Sequence, residues 1–261
     1  MSEDSTAQQS PDNSPVKIQP AVAATGHLSA GPWMAVLFAL LGGALTWLVF
    51  HAYYPIAKVP MDMQDLVGEN MTADQEQMIF AILNNTNRKN TLFALAVVGA
   101  LVGGGLGLAE GIARRSLKSV LAVTSLVAVI GTVAGVMGGL LTDLIYTNMK
   151  HIGDPLTLGG TVLIHVISLA VLGAGIGLGL GASTGRAAAA GNCLLAGMLA
   201  GLGAGLIYPI VLAFVLPGAQ TQVLVPEESG NQLIWIASIA LLLGIVVPGT
   251  ASKRAPQSAA I

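Results

Sequence analysis

The chain has 261 residues, of which 54% are hydrophobic and only 9% charged. A soluble domain carries roughly 25% charged residues, so no water-soluble core accounts for this much apolar surface. The 11 basic residues are scattered and the net charge is −2, which excludes nucleic acid as a partner, because phosphate binding needs clustered Lys and Arg.

The first 32 residues are rich in Ser, Gln, Pro and Asp, too polar to fold, and are expected to be a disordered cytoplasmic tail. A secretory signal would need a basic stretch directly before a short apolar core. Here Lys17 stands alone and the apolar run starts only at Trp33.

Six apolar runs are long enough to cross roughly 30 Å of hydrocarbon: about 33–50, 92–109, 120–141, 162–181, 193–216 and 233–247. They predict an all-α integral membrane fold, a bundle of six transmembrane helices spanning 33–249. Residues 250–261 form a second tail. Trp33, Trp47, Trp235, Tyr53, Tyr54 and Tyr146 mostly fall near span ends, as interfacial anchors do.

Between the first two spans lies a loop over 52–90. Thr72 followed by Gln75 is a capping-box pattern, and Met71, Met78, Ile79, Ile82 and Leu83 share one face after it, predicting a short helix lying on the membrane surface. Met61, Met63, Met71 and Met78, with His51, carry thioether and imidazole groups that suit Cu(I), but Met more often fills apolar contacts, so no metal or other cofactor is expected. Asn70-Met-Thr72 and Asn84-Asn-Thr86 are glycosylation sequons that act only in a eukaryotic secretory host.

The four middle spans carry glycines four residues apart: Gly99, Gly103, Gly107 and Gly111; Gly131, Gly135 and Gly139; Gly173, Gly177 and Gly181; Gly197, Gly201 and Gly205. In water each glycine costs a helix interior about 1 kcal/mol. In lipid the same stripe lets two backbones approach closely, which is glycine-zipper packing. The second span maps onto the fourth at a shift of 74 and the third onto the fifth at 66, predicting two parallel hairpin repeats. Ala39 and Gly43 echo the third span weakly, a hint of a permuted third copy. In residue type and spacing the hairpins resemble those of protein-translocase membrane subunits, and the likeness extends no further.

Two ionisable residues fall on these stripes. His165 heads the ridge of Gly173, Gly177 and Gly181, and Asp143 extends that of Gly131, Gly135 and Gly139. They form a candidate polar intramembrane pair in which the carboxylate would favour a charged imidazole, although plain interhelical hydrogen bonding is the simpler role. Glu110 and Arg114, spaced i, i+4, mark a membrane boundary together with Arg115 and Lys118. Pro209, after Tyr208, is expected to kink the fifth span. The single Cys193 permits neither an intramolecular disulfide nor a zinc cluster.

Lys17, Arg114, Arg115, Lys118, Arg186, Lys253 and Arg254 collect on one side, against Lys58, Arg88, Lys89 and Lys150 on the other. The positive-inside rule then puts both termini in the cytoplasm of a cell (plasma or inner) membrane. Phosphate-loop, zincin and nucleophile-elbow motifs are missing from the sequence. The expectation is a non-enzymatic structural, assembly or partner-binding subunit, in contact with the lipid bilayer and with its own copies or another membrane protein. The alternative is a small channel or transporter with a pathway near His165 and Asp143.

Overall fold

The computed structural model describes residues 30–60, 72–149, 158–215 and 224–251. They build six helices: α1 (Pro32–Tyr53), α2 (Ala73–Ala113), α3 (Leu117–Met149), α4 (Leu158–Ala182), α5 (Ala187–Val215) and α6 (Ser229–Ala251). All six are long and apolar enough to span a bilayer, and no strand occurs among the described residues. The chain is a multi-pass helical membrane protein. The expected N-terminal disorder, Met61, Met63, Met71, Lys150, Lys253 and Arg254 lie outside the described residues.

Pro32 opens α1 at the one position where a missing N–H costs a helix nothing. Thr72 caps α2 as its sequence pattern predicts: its Oγ1 accepts the Gln75 N–H at 3.4 Å and Gln75 Oε1 accepts the Thr72 N–H at 3.0 Å. The helix that begins there is not a separate surface helix. It runs unbroken into the second span for 41 residues, because the polar stretch between Asn84 and Leu92 holds neither Pro nor Gly to interrupt the ladder. At 1.5 Å per residue α2 is about 60 Å long, roughly twice the hydrocarbon thickness. α5 likewise continues through Pro209 to Val215.

Each helix packs on the next, and α6 closes back on α1. α2, α4 and α6 also touch one another, which places them inside, with α1, α3 and α5 around them. Val98, Val102 and Leu106 of α2, Leu172 and Ile176 of α4, and Ile239 and Leu243 of α6 are buried in one continuous apolar cluster. The up-and-down path leaves Ala30 and Ala251 at one end of the bundle, the terminal end, and the α1–α2 connection at the other, the loop end. Trp33 is 86% exposed, as a lipid-facing anchor should be, but Trp235 is fully buried and stacks on Phe50 with ring centroids 6.5 Å apart.

Backbone meets backbone within both central hairpins. A Cβ placed on Gly131 would fall on the carbonyl of Gly99, and one on Gly197 on that of Gly173. On Gly111 it would lie 2.5 Å from Val120 Cα, and on Gly181 2.5 Å from Ala190 Cα. Gly135 opposes Leu95 and Gly205 opposes His165 and Val166 in the same manner. The Gly111–Val120 and Gly181–Ala190 contacts stand 70 residues apart on both helices, and so do the two positive-φ turn residues, Arg115 at 55° and Gly185 at 73°. The Gly99–Gly131 and Gly173–Gly197 contacts, by contrast, stand 74 and 66 apart. The shifts of 74 and 66 read from the glycines map one of these glycine contacts onto the other and differ from the turn spacing by one glycine step in opposite directions. A ladder with a rung every fourth residue matches itself when slid by one rung, so its glycines alone do not set a register.

Candidate functional site

Polar side chains gather at the loop end, where α2 rises above its apolar segment beside α3. Arg88 Nε stands 3.6 Å from Asp143 Oδ2, with the two side chains 51% and 22% exposed. Thr147 joins the helices: its Oγ1 donates to the Asp143 carbonyl at 2.7 Å and accepts from Asn84 Nδ2 at 3.2 Å. This holds the Asn84 amide so that its Oδ1 is buried with no hydrogen-bond partner. A small open cleft, with a cavity volume of about 30 Å³, lies here, with Asn84, Arg88, Thr91, Thr142, Asp143 and Tyr146 among its walls. At its base Thr142 and Ser168 hydrogen-bond to each other, and each also donates back along its own helix, to Gly138 and Ile164.

His165 lies behind this cleft, fully buried. Its Nδ1 is 2.9 Å from the Thr161 carbonyl, which fixes the proton on Nδ1 and leaves Nε2 as an acceptor in the neutral ring. The imidazole stacks on Tyr208 of α5 at 5.3 Å and 29°. Neither His165 Nε2 nor the Tyr208 hydroxyl has a hydrogen-bond partner. Pro209, next in the chain, has no N–H to return to the Gly205 carbonyl, and Gly205 is the residue that lets α5 approach His165. Asp143 and His165 therefore sit at the same end of the bundle without forming a pair. Asp143 takes Arg88 as its partner, and His165 takes Thr161 and Tyr208.

The terminal end holds a network that the sequence showed only in part. Glu110 and Arg114 pair at 2.9 Å along α2, and the Glu110 side chain is 1% exposed. Arg114 then reaches α4, donating to the Ser183 carbonyl and hydroxyl, both at 2.9 Å. Glu110 Oε2 accepts the Ala30 N–H at 3.0 Å. One carboxylate thus ties the start of α1 and the ends of α2 and α4 together. The i, i+4 spacing was legible beforehand, but Ser183 and Ala30 lie 69 and 80 residues away from their partners, and no local pattern marks them.

Just past the end of α1, burial pushes the Tyr54 phenol up from its ordinary pKa, and the nearby Glu227 carboxylate adds to the shift. His51, one residue set in the copper reading, stacks on Trp47 at 5.7 Å.

The fold and these sites define a class, a multi-pass helical membrane protein with polar residues concentrated at the two bundle ends. No protein-family model matches the chain, and neither does any curated protein or solved structure.

Proposed function

We propose that this protein is a non-enzymatic membrane subunit that serves as a rigid scaffold for assembly with its own copies or with another membrane protein. The observation that carries this reading is the direct backbone contact of Gly99 with Gly131 and of Gly173 with Gly197. Such contacts are the mark of glycine-zipper packing, and they leave two helices little room to slide or part. The apolar cluster of α2, α4 and α6 supports the same reading, since buried Val, Leu and Ile side chains offer no wet path between the helices.

In this reading α2–α3 and α4–α5 are two copies of one hairpin in a register of 70 residues, supported by their matching contacts and turn conformations. α6 with α1 supplies a permuted third copy, in which Gly244 packs against Val36 and Ala39, and Gly43 against Ala240. The terminal end faces the cytoplasm of a plasma or inner membrane, as its excess of Lys and Arg supports.

The test is reconstitution into liposomes with trapped pH- and ion-sensitive dyes, under an imposed gradient, for wild type and His165→Ala. No flux is expected from either. The second reading, a small channel or transporter with a pathway near His165 and Asp143, rests on the buried unpartnered atoms of His165 and Tyr208. Flux in wild type that disappears in His165→Ala would replace the scaffold reading with that one.

A further inference from the structure

We propose that the loop-end cleft between α2 and α3 binds an ammonium–phosphate zwitterion, the headgroup chemistry of an ethanolamine phospholipid. The argument starts from depth. Arg88 precedes the apolar run that opens at Leu92 by four residues, or about 6 Å along the helix, which sets it at the level of lipid headgroups. Asp143 lies just past the apolar part of α3 and faces Arg88. The cleft therefore offers a fixed cation and a fixed anion at the depth where a headgroup carries one of each.

The remaining chemistry selects the ligand. Only Arg88 Nε faces Asp143, and at 3.6 Å the approach is looser than a hydrogen bond. Among the described residues the terminal guanidinium nitrogens have no hydrogen-bond acceptor, so they are available for a bidentate grip on an oxyanion. The opposite side is built to accept protons. The Asp143 carboxylate stands there, with the Thr142 hydroxyl in the same wall. Asn84 Oδ1 is buried and unpartnered, while its Nδ2 is held by Thr147, which donates to the Asp143 backbone carbonyl. A primary ammonium brings three N–H donors to these acceptors. The trimethylammonium of choline brings none, and would leave the Asn84 oxygen unpaired at the usual cost of a buried polar atom. Tyr146 also lines the cleft, and aromatic rings commonly sit at the headgroup level.

The test uses the full chain purified in detergent, with native mass spectrometry scoring phospholipid retained from equimolar phosphatidylethanolamine and phosphatidylcholine. Wild type is expected to favour the ethanolamine lipid by about tenfold, the value of one charge-assisted interaction. Arg88→Gln and Asp143→Asn should each remove that preference, while Lys89→Gln, whose side chain does not line the cleft, should keep it. Competition by free phosphoethanolamine would show that the headgroup alone suffices. Retention that free phosphoethanolamine does not displace would identify the intact lipid as the ligand. Equal retention of the two lipids by wild type overturns the proposal without recourse to any variant. So does a preference that survives both substitutions, or displacement by glycine as effective as by phosphoethanolamine.

Discussion

Gly99 of α2 and Gly131 of α3 face each other so closely that a Cβ on either one would occupy the position of the other's carbonyl. Gly104, five residues along α2, is differently placed. A Cβ there would meet only Ala128 Cβ, at an ordinary 3.6 Å. Gly99→Ala is expected to cost about 1–3 kcal/mol, the penalty of overpacking, and Gly104→Ala to stay within about 0.5 kcal/mol of wild type. Unfolding in SDS-containing mixed micelles measures both. Equal losses at the two positions would mean that backbone proximity is not what these helices depend on.

The terminal-end network predicts a second asymmetry. Glu110→Ala leaves Arg114 without its carboxylate and the Ala30 N–H without its acceptor, and should destabilise the bundle by about 1.5–3 kcal/mol. Ser183→Ala removes the hydroxyl that accepts from Arg114 and donates to the Leu180 carbonyl, while the Ser183 carbonyl still accepts from Arg114, and should cost less than Glu110→Ala, about 1 kcal/mol. Thermal unfolding in detergent ranks the two variants, and the reverse order would show that the carboxylate is not the hub.

Arg115 adopts φ 55° in the α2–α3 turn, the conformation that Gly185 takes at φ 73° in the α4–α5 turn. A side chain in this region costs about 1–2 kcal/mol. Arg115→Gly should therefore raise stability by about 1 kcal/mol and Gly185→Ala lower it by a similar amount. The same unfolding assay reads both, and a loss in Arg115→Gly would show that its charge matters more than its backbone.

His165 is held by its stack on Tyr208 and one bond to the Thr161 carbonyl, with Nε2 unpartnered. Replacement by Ala opens a cavity and should cost about 2–4 kcal/mol. Replacement by Phe keeps the stack and removes the unpaired nitrogen along with the Thr161 bond, so its net cost should be about 1 kcal/mol or less. A variant pair equally destabilised would place the stabilisation in the hydrogen bond and not in the stacking.

Tyr54 gives a pH dependence with a definite sign. Its folded pKa is raised, first by burial and then by Glu227, so the protonated phenol contributes fully below the unfolded value of about 10. That contribution is lost as the pH rises from there towards the folded value. The unfolding midpoint should fall as the pH rises above about 10, and fall less steeply in Tyr54→Phe. Parallel curves would assign the alkaline loss to other groups.

Much of the architecture was legible in the residues themselves. Six apolar runs, the Thr72 cap and the Glu110–Arg114 spacing are statements about neighbours in the chain. Bilayer thickness and helix geometry convert them directly into structure. The continuity of α2 was equally readable, since no Pro or Gly separates Asn84 from Leu92, but a polar stretch invites a break where helix propensity demands none.

The choice of partners belonged to the tertiary structure. Asp143 stands one glycine step beyond Gly139 and was expected to meet His165, yet Arg88 lies closer across the α2–α3 contact. The four-residue glycine period permits several registers, and only the turn, with Arg115 and Gly185 in matching positive-φ conformations 70 residues apart, selects one. Burial of Trp235 against Phe50 follows from α6 closing on α1, a contact between the two ends of the chain. Span number and helix identity are set by local composition against a fixed bilayer thickness, whereas register, ring closure and ion-pair choice are set by which backbones come within reach, and no local pattern records that distance.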